Sequence, residues 1–471
     1  MTTALGRPSA SIFDHWQLHV AYVTTDGSIL DDYYDRQAGW MRQDVTARVK
    51  GTPATARELT TIATENQWHA IYRTASNGLS HLYYRENEGW IYEDLTSLAK
   101  ARATIGAASL VVTPGQLHAF YRDDRNHVSH VYFRKGEWVW EDMQAVVPGN
   151  LPDADGDPAA IHAYEQLHVA YRAGDGQLGH FYHDNKKGWV RQDMMTPENR
   201  APRAKGVPVF LAYHNRLECF YRDSADHIAR LYFAKGGWRY EDLTVASGCP
   251  VAAAGDPTAI DHRGPHIVFR DAGGHLADVS MPQDDTWVYR DLTRESSAPK
   301  AVSDPGVVAH EGHWHAVFVA EDGHVHDVYF DGTWHTQDLD ALAKNPVPIG
   351  KVAVRNKGAY LVTVRFDYLR SDGRQRISSA TTGTPFPVGE TNISDPGDHG
   401  VPEGAELWVE IQATLGDSAQ GHQHFIYQRG VAQVARYHCS GTTKDVKLSF
   451  DGVRPGTAEA AVDATDSELQ A

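Results

Sequence analysis

The sequence predicts an all-β chain, a seven-bladed β-propeller followed by a β-sandwich. Three observations carry that reading. A five-residue phrase of the form apolar, polar, apolar, apolar, aromatic recurs seven times at nearly constant spacing. Between copies the text is short, alternating and rich in Val, Ile, Tyr, Phe and Trp, with DG, NG or GG pairs at the turns. After Pro346 the repeat stops and a different strand-like text begins.

The phrases are LHVAY, WHAIY, LHAFY, LHVAY, LECFY, PHIVF and WHAVF. Their second letters are His19, His69, His118, His168, Glu218, His266 and His315, in steps of 50, 49, 50, 50, 48 and 49 residues. Twelve residues after each stands a second polar position: Asp31, His81, His130, His180, Arg230, Asp278 and Asp327. Each unit then carries a tryptophan (Trp40, Trp90, Trp138, Trp189, Trp238, Trp287, Trp334) with an aspartate four residues later, from Asp44 to Asp338. In the fourth unit AAIHAY, QLHVAYR, LGHFYH and GWVRQDM read as four strands with a turn at Asp175-Gly176, and helical spacing is absent. Four strands per ~50 residues make one propeller blade. Residues 8–345 are therefore assigned to the propeller, each unit supplying its own four strands with no strand exchanged between the ends, and the tryptophans mostly to packing between blades.

Residues 346–455 read as a β-sandwich from KVAVRN, GAYLVTVRFDYLR, AELWVEIQATL, HQHFIYQ and DVKLSFDG. Residues 456–471 are small, acidic and unpatterned, and are expected to be disordered. At 471 residues, 41% hydrophobic and 22% charged, the chain as a whole is neither fibrous nor disordered, and at least two domains are expected. A net charge of −17 with no basic run argues against nucleic-acid binding. The first residues lack a signal-peptide pattern and no stretch reaches the ~18 apolar residues of a membrane span, so the expectation is a soluble protein, cytoplasmic or released without a classical signal peptide. Cys219, Cys249 and Cys439 show no short paired spacing, which supports neither a disulfide framework nor a cysteine zinc site.

The two repeated polar positions are the candidate ligand-binding residues: His19 with Asp31, His69 with His81, His118 with His130, His168 with His180, Glu218 with Arg230, His266 with Asp278 and His315 with Asp327. One reading makes them structural hydrogen bonds. The other makes each pair the wall of an inter-blade pocket for a polyhydroxylated ligand, with Tyr22, Tyr72, Tyr121, Tyr171 and Tyr221 as neighbouring aromatic faces, replaced by Phe269 and Phe318 in the last two units. If imidazoles bind the ligand, affinity should change between about pH 5 and 7. No cofactor is indicated, although His with His or Asp can ligate a divalent metal if the turn residues His127, His227, His275 or His324 join. The alternative is a propeller enzyme, a polysaccharide lyase or hydrolase, with one site on the axis. His15, His162, His214, His262, His310 and His313 would lie near that channel, and Arg73, Arg122, Arg172, Arg222 and Arg270 would neutralise a uronate.

The repeat resembles that of the fungal fucose-binding propeller lectins: a strand of form apolar-Arg-Val-Tyr-Tyr, a turn, an apolar strand bearing Glu, then a Trp. Their Arg position falls on the first member of each pair here, and their Glu position on the second; no unit has Arg followed by Glu. That resemblance implies a glycan as the partner. The tail's GAYLVTVRFDY, the strand after Pro402-Glu403-Gly404-Ala405, and SGTTKDV resemble the membrane-binding domain of cholesterol-dependent cytolysins. The loop matching that family's Trp-rich loop, Thr414 to Phe425, has no Trp, and the sterol-contacting Thr-Leu pair falls on Thr443 and Lys444, so no membrane insertion is expected.

Overall fold

The computed structural model describes residues 3–13, 17–35, 39–49, 51–64, 67–85, 89–282, 286–343, 346–369 and 376–456. His15 and all but the first residue of the expected acidic tail lie outside the described residues.

Each repeat folds as one antiparallel four-stranded sheet with its strands in chain order, spanning 4–44, 55–94, 109–142, 159–191, 209–242, 258–291 and 306–338; these are blades 1 to 7. In blade 4 the strands are Ala159–Ala163, Gln166–Arg172, Leu178–Asp184 and Gly188–Arg191. The second and third strands join through a turn whose tip needs a left-handed residue, and every blade supplies one that tolerates it: Gly27, Asn77, Asn126, Gly176, Asp226, Gly274 and Gly323, with φ between 63° and 84°.

The first strand of blade 1 packs against the first strands of blades 2 and 7, so the innermost strands close a ring. Closure uses packing rather than a shared strand. Ala4, Leu18, Val20, Tyr22 and Trp40 of blade 1 form one buried cluster with Val317, Val319 and Val325 of blade 7, and the Ala4 amide donates to the Gly323 carbonyl (3.1 Å). Equivalent clusters lie between other neighbours, as where Val23 and Ile29 meet Leu59, Trp68, Tyr72 and Trp90. Each such side chain stabilises the ring by about 1.5–3 kcal/mol on burial.

The absence of helix expected from the spacing is corrected in one detail. Six blades end in a single helical turn, and the aspartate four residues after the tryptophan is its N-cap: Asp44, Asp94, Asp142, Asp242, Asp291 and Asp338 each accept from a backbone amide two or three residues on. In blade 4 Asp193 instead pairs with Arg191 (3.0 Å).

The tail is two packed sheets. One runs in the order Val347–Ile349, Ser418–Tyr427, Glu406–Ala413, Val362–Leu369, Arg376–Ser378; the other in the order Thr391–Ser394, Lys351–Asn356, Gln433–Thr442, Asp445–Pro455. Val354, Val364, Phe366, Leu407, Val409, Ile411, Phe425 and Tyr437 fill the space between them.

Candidate ligand sites between the blades

The fixed twelve-residue offset has a simple origin. The second and third strands form a hairpin of constant length, so the first member of each pair faces a residue two beyond the second member: His69 opposes Tyr83, and His118 opposes Tyr132. The pair members then meet diagonally on one face. His69 Nδ1 lies 3.0 Å from His81 Nε2, His118 Nδ1 3.0 Å from His130 Nε2, and His168 Nδ1 3.3 Å from His180 Nε2. In the other blades His19, His266 and His315 direct Nδ1 at Asp31, Asp278 and Asp327 (2.7, 3.0 and 2.9 Å), and Arg230 grips Glu218 through Nε (3.0 Å) and Nη2 (2.5 Å).

A third polar position, not singled out by the spacing, completes the set in blades 1, 2, 3, 5 and 7. It lies on the outer strand or just past its end, three residues after the tryptophan: Gln43, Glu93, Glu141, Gln192, Glu241, Arg290 and Gln337. Gln43 and Gln337 donate to Asp31 and Asp327 (both 2.8 Å), Glu93 and Glu141 lie against His81 and His130 (3.0 and 3.3 Å), and Glu241 accepts from Arg230 (2.7 Å). The same W-x-x-polar signal was present in every unit of the sequence.

Hydrogen-bond logic fixes the protons. A carboxylate only accepts, so His81 Nδ1 carries the hydrogen; its Nε2 then accepts from His69 Nδ1–H, and His69 Nε2 is left as an acceptor. Burial keeps these rings neutral. It lowers His69 well below the ordinary imidazole value, with the neighbouring His81 adding to it, and brings His118 to about 3, His168 to about 4 and His180 to about 3. The histidines of these three blades are thus held neutral to lower pH than an ordinary imidazole. Blade 6 is the opposite case, because the Asp278 carboxylate outweighs burial and raises His266, whose Nε2 faces the His262 carbonyl (3.2 Å).

The aromatic face also differs from expectation. Tyr72, Tyr121, Tyr171 and Tyr221 are fully buried, with their hydroxyls donating to the carbonyls of Pro53, Arg102, Pro152 and Pro202, so they brace the blades. The rings at the paired residues are Tyr83 on His81 (4.7 Å), Tyr132 on His130 (4.6 Å), Tyr182 on His168 (5.4 Å) and Tyr329 on His315 (5.4 Å), while the Arg230 guanidinium lies 4.4 Å over Tyr232.

The opposite wall comes from the next blade. Its tryptophan reaches back, so that Trp138 Nε1 donates to Glu93 (3.0 Å), Trp238 to Gln192 (3.0 Å) and Trp40 to Gln337 (3.3 Å). Between blades 2 and 3 this leaves a cavity of about 740 Å³ lined by His69, His81, Tyr83, Arg85, Glu93 and Trp138. Between blades 3 and 4 a cavity of about 810 Å³ is lined by His118, His130, Tyr132, Glu141, His183 and Trp189. Between blades 1 and 2 the corresponding space is only about 180 Å³, because the sandwich enters it: Glu406, Trp408 and His424 join His19, Tyr33 and Trp68. There Trp408 stacks on His424 (5.5 Å, 4°), His424 bridges Glu406 and the Tyr33 hydroxyl, and Glu406 pairs with Arg48 of blade 1.

The axis is built differently from the expectation for an enzyme. A cavity lined by residues of all seven innermost strands carries Arg7, Arg57, Glu58, Asp157, Asp256 and Asp304 as its charged groups. His162 instead lines the pocket of blades 3 and 4, His214 stacks on Tyr213 (3.9 Å), and His310 lies 6.1 Å from His315. The arginines after the phrase are also committed. Arg73 pairs with Glu58 (2.8 Å), Arg172 with Asp155, and Arg122, Arg222 and Arg270 approach Asp157, Asp256 and Asp304 of the following blade (3.9, 3.8 and 3.6 Å). The turn histidines bond the N-cap aspartates: His127, His227, His275 and His324 hold Asp142, Asp242, Asp291 and Asp338 at 2.8 to 3.1 Å.

No protein-family model matches the chain and no curated protein matches it in sequence. Among solved structures it is similar to the BP39L lectin from Burkholderia pseudomallei, with a TM-score of 0.50 and 13% identity over 71% of this chain and 98% of that one. It is also similar to AofleA from Arthrobotrys oligospora (TM-score 0.43, 12% identity, 72% and 87% covered) and to the Aleuria aurantia lectin (0.43, 12%, 61% and 95%), which is described as a six-bladed β-propeller with a fucose recognition mode. At such identities the likeness is one of fold, and the chain has a β-propeller fold. The tail's resemblance to the cytolysin domain finds no support in these comparisons, and among the described residues no helix is long and apolar enough to cross a membrane.

Proposed function

We propose that this protein is a lectin-like recognition protein that binds glycans in pockets between adjacent blades. The supporting observation is the pairing, in successive pockets, of a buried polar relay on one wall with a tryptophan on the other. Sugars offer hydroxyls in fixed directions and flat C–H faces, and a site for them needs a few convergent polar groups beside an aromatic plane. His118 Nε2 already faces a hydroxyl, that of Thr113 at 2.9 Å, which is the contact a sugar hydroxyl would make with an imidazole acceptor. The pairs His69/His81 and His118/His130 form the polar walls of the two open pockets; His19/Asp31, His168/His180, Glu218/Arg230, His266/Asp278 and His315/Asp327 hold the equivalent places in the other blades. The BP39L structure, a lectin of the same fold, is consistent with this reading.

A glycan array probed with the full chain tests it, with α-methyl-L-fucoside, the ligand in one Aleuria aurantia lectin structure, as the first soluble competitor. Binding to a defined set of glycans is expected, with one binding equivalent lost in His69→Ala and one in His118→Ala. Absence of signal on every glycan would overturn the proposal.

A further inference from the structure

We propose that one corner of blade 7 is a divalent metal site formed by Asp322, His324, His326 and Asp338. One ligand atom from each of the four lies within 4.8 Å of all the others, the only such group among the described residues. The site is independent of the glycan pockets, and local geometry explains why it forms here.

Asp322 and His324 flank Gly323, the left-handed residue at the tip of the turn between the second and third strands. His324 and His326 are two residues apart in extended chain and so project to the same side. Asp338 is the cross-strand partner of His326 on the outer strand. Both carboxylates are oriented by the backbone through one oxygen: Asp322 Oδ1 accepts from the His324 amide (2.9 Å) and Asp338 Oδ1 from the Ala341 amide (3.1 Å). The second oxygen of each meets an imidazole, Asp322 Oδ2 with His326 Nε2 (3.0 Å) and Asp338 Oδ2 with His324 Nδ1 (2.9 Å). His326 is buried and stacked on Phe318 (6.0 Å, 27°), so its ring is fixed before any ion arrives.

The other blades act as internal controls. Blades 3, 5 and 6 repeat the half-site of turn histidine and N-cap aspartate, but Ser129, Ala229 and Ala277 stand where His326 does, and Arg125, Ala225 and Gly273 where Asp322 does. Blade 7 doubles two ligands to four. Two imidazoles and two carboxylates suit zinc or a neighbouring first-row ion in a tetrahedral set, with metal–ligand bonds of about 2.0–2.2 Å that draw the four atoms closer together. The ion takes the place of the hydrogens shared between the rings and the carboxylates; a neutral ring keeps its hydrogen on the other nitrogen, and a protonated ring releases one proton as the ion enters.

The test is a calorimetric zinc titration of the untagged full chain at neutral pH after chelator dialysis, read beside the visible spectrum with cobalt. One tight equivalent is expected, with the absorption of tetrahedral cobalt. Affinity should fall at least a hundredfold in His326→Leu and in the exposed, fold-neutral Asp322→Asn, yet change less than threefold in His275→Leu of blade 6. Absence of stoichiometric binding in the parent protein, or affinity retained in Asp322→Asn, would overturn the site.

Discussion

A hydrogen-bond relay of three side chains works only if donors and acceptors alternate, and five of the blades meet that constraint in three ways. Where the middle residue is an acceptor, Asp31 or Asp327, the outer residue is the donor Gln43 or Gln337; where the middle residue is His81, His130 or Arg230, the outer residue is Glu93, Glu141 or Glu241. The cost of breaking a set is largest in blade 5, where Glu218 is fully buried against Arg230. Arg230→Met alone should lower stability by about 3–5 kcal/mol in chemical denaturation, and adding Glu218→Leu should recover much of it, because an unpaired buried charge is worse than none. Protonation gives a second expectation. The lowered histidines of blades 2 to 4 bind protons in the unfolded chain below about pH 6.5 but resist them when folded, so their stability is present above that value and lost as pH falls toward 4. His266, raised by Asp278, has the opposite sign: its contribution is full below about pH 6.5 and fades as pH rises. With the lowered rings outnumbering the raised ones, His227, His266 and His324, the melting temperature should drop between pH 6.5 and 4.5, and less so in His118→Gln/His130→Gln; a melting temperature that stays flat over that range would contradict the neutral relay.

Blades are held to one another at points where side-chain bulk is excluded. A Cβ on Gly106 would sit 1.8 Å from Asp157 Oδ1, and one on Gly255 would sit 1.8 Å from Asp304 Oδ1, because each aspartate of the following blade lies directly on the glycine. Asp157 Oδ2 accepts from the Ala107 amide (3.0 Å), and Arg122 approaches from the side. Gly106→Ala should therefore destabilise the ring by about 1–3 kcal/mol while leaving strand content by circular dichroism unchanged. The N-caps set a smaller scale: Asp94→Ala removes the acceptor for Ser97 N (3.1 Å) and should cost about 1 kcal/mol in urea unfolding. At this level the sequence was readable where a rule is local. The left-handed turn positions, the four strands of each unit and the twelve-residue offset all follow from the hairpin. The one-turn helices escaped notice because four residues carry no periodicity, and the outer-strand polar position because its identity changes among Gln, Glu and Arg from blade to blade.

The whole molecule is a ring of similar wedges with one wedge boundary altered by the tail. The pockets between blades 2 and 3 and between blades 3 and 4 are open, whereas Trp408 and His424 occupy the space between blades 1 and 2 and reduce it to about 180 Å³. The sandwich thus covers a position that would otherwise match its neighbours. Trp408→Ala should raise the number of glycan equivalents bound per chain by one without weakening the others, a difference read by saturation binding. This contact could not be seen in the sequence, since Trp408 belongs to no repeat and packing between distant segments leaves no local pattern. The axial channel likewise differs from the expectation: its charged lining is Arg, Glu and Asp, while His162, His214 and His310 lie elsewhere.

The most direct measurement is a calorimetric titration of the full chain with its strongest array glycan, repeated for His118→Ala. The account predicts more than one equivalent per chain and a loss of one equivalent in the variant, with the remaining sites unchanged in affinity. A single equivalent, or a stoichiometry untouched by His118→Ala, would contradict recognition between the blades.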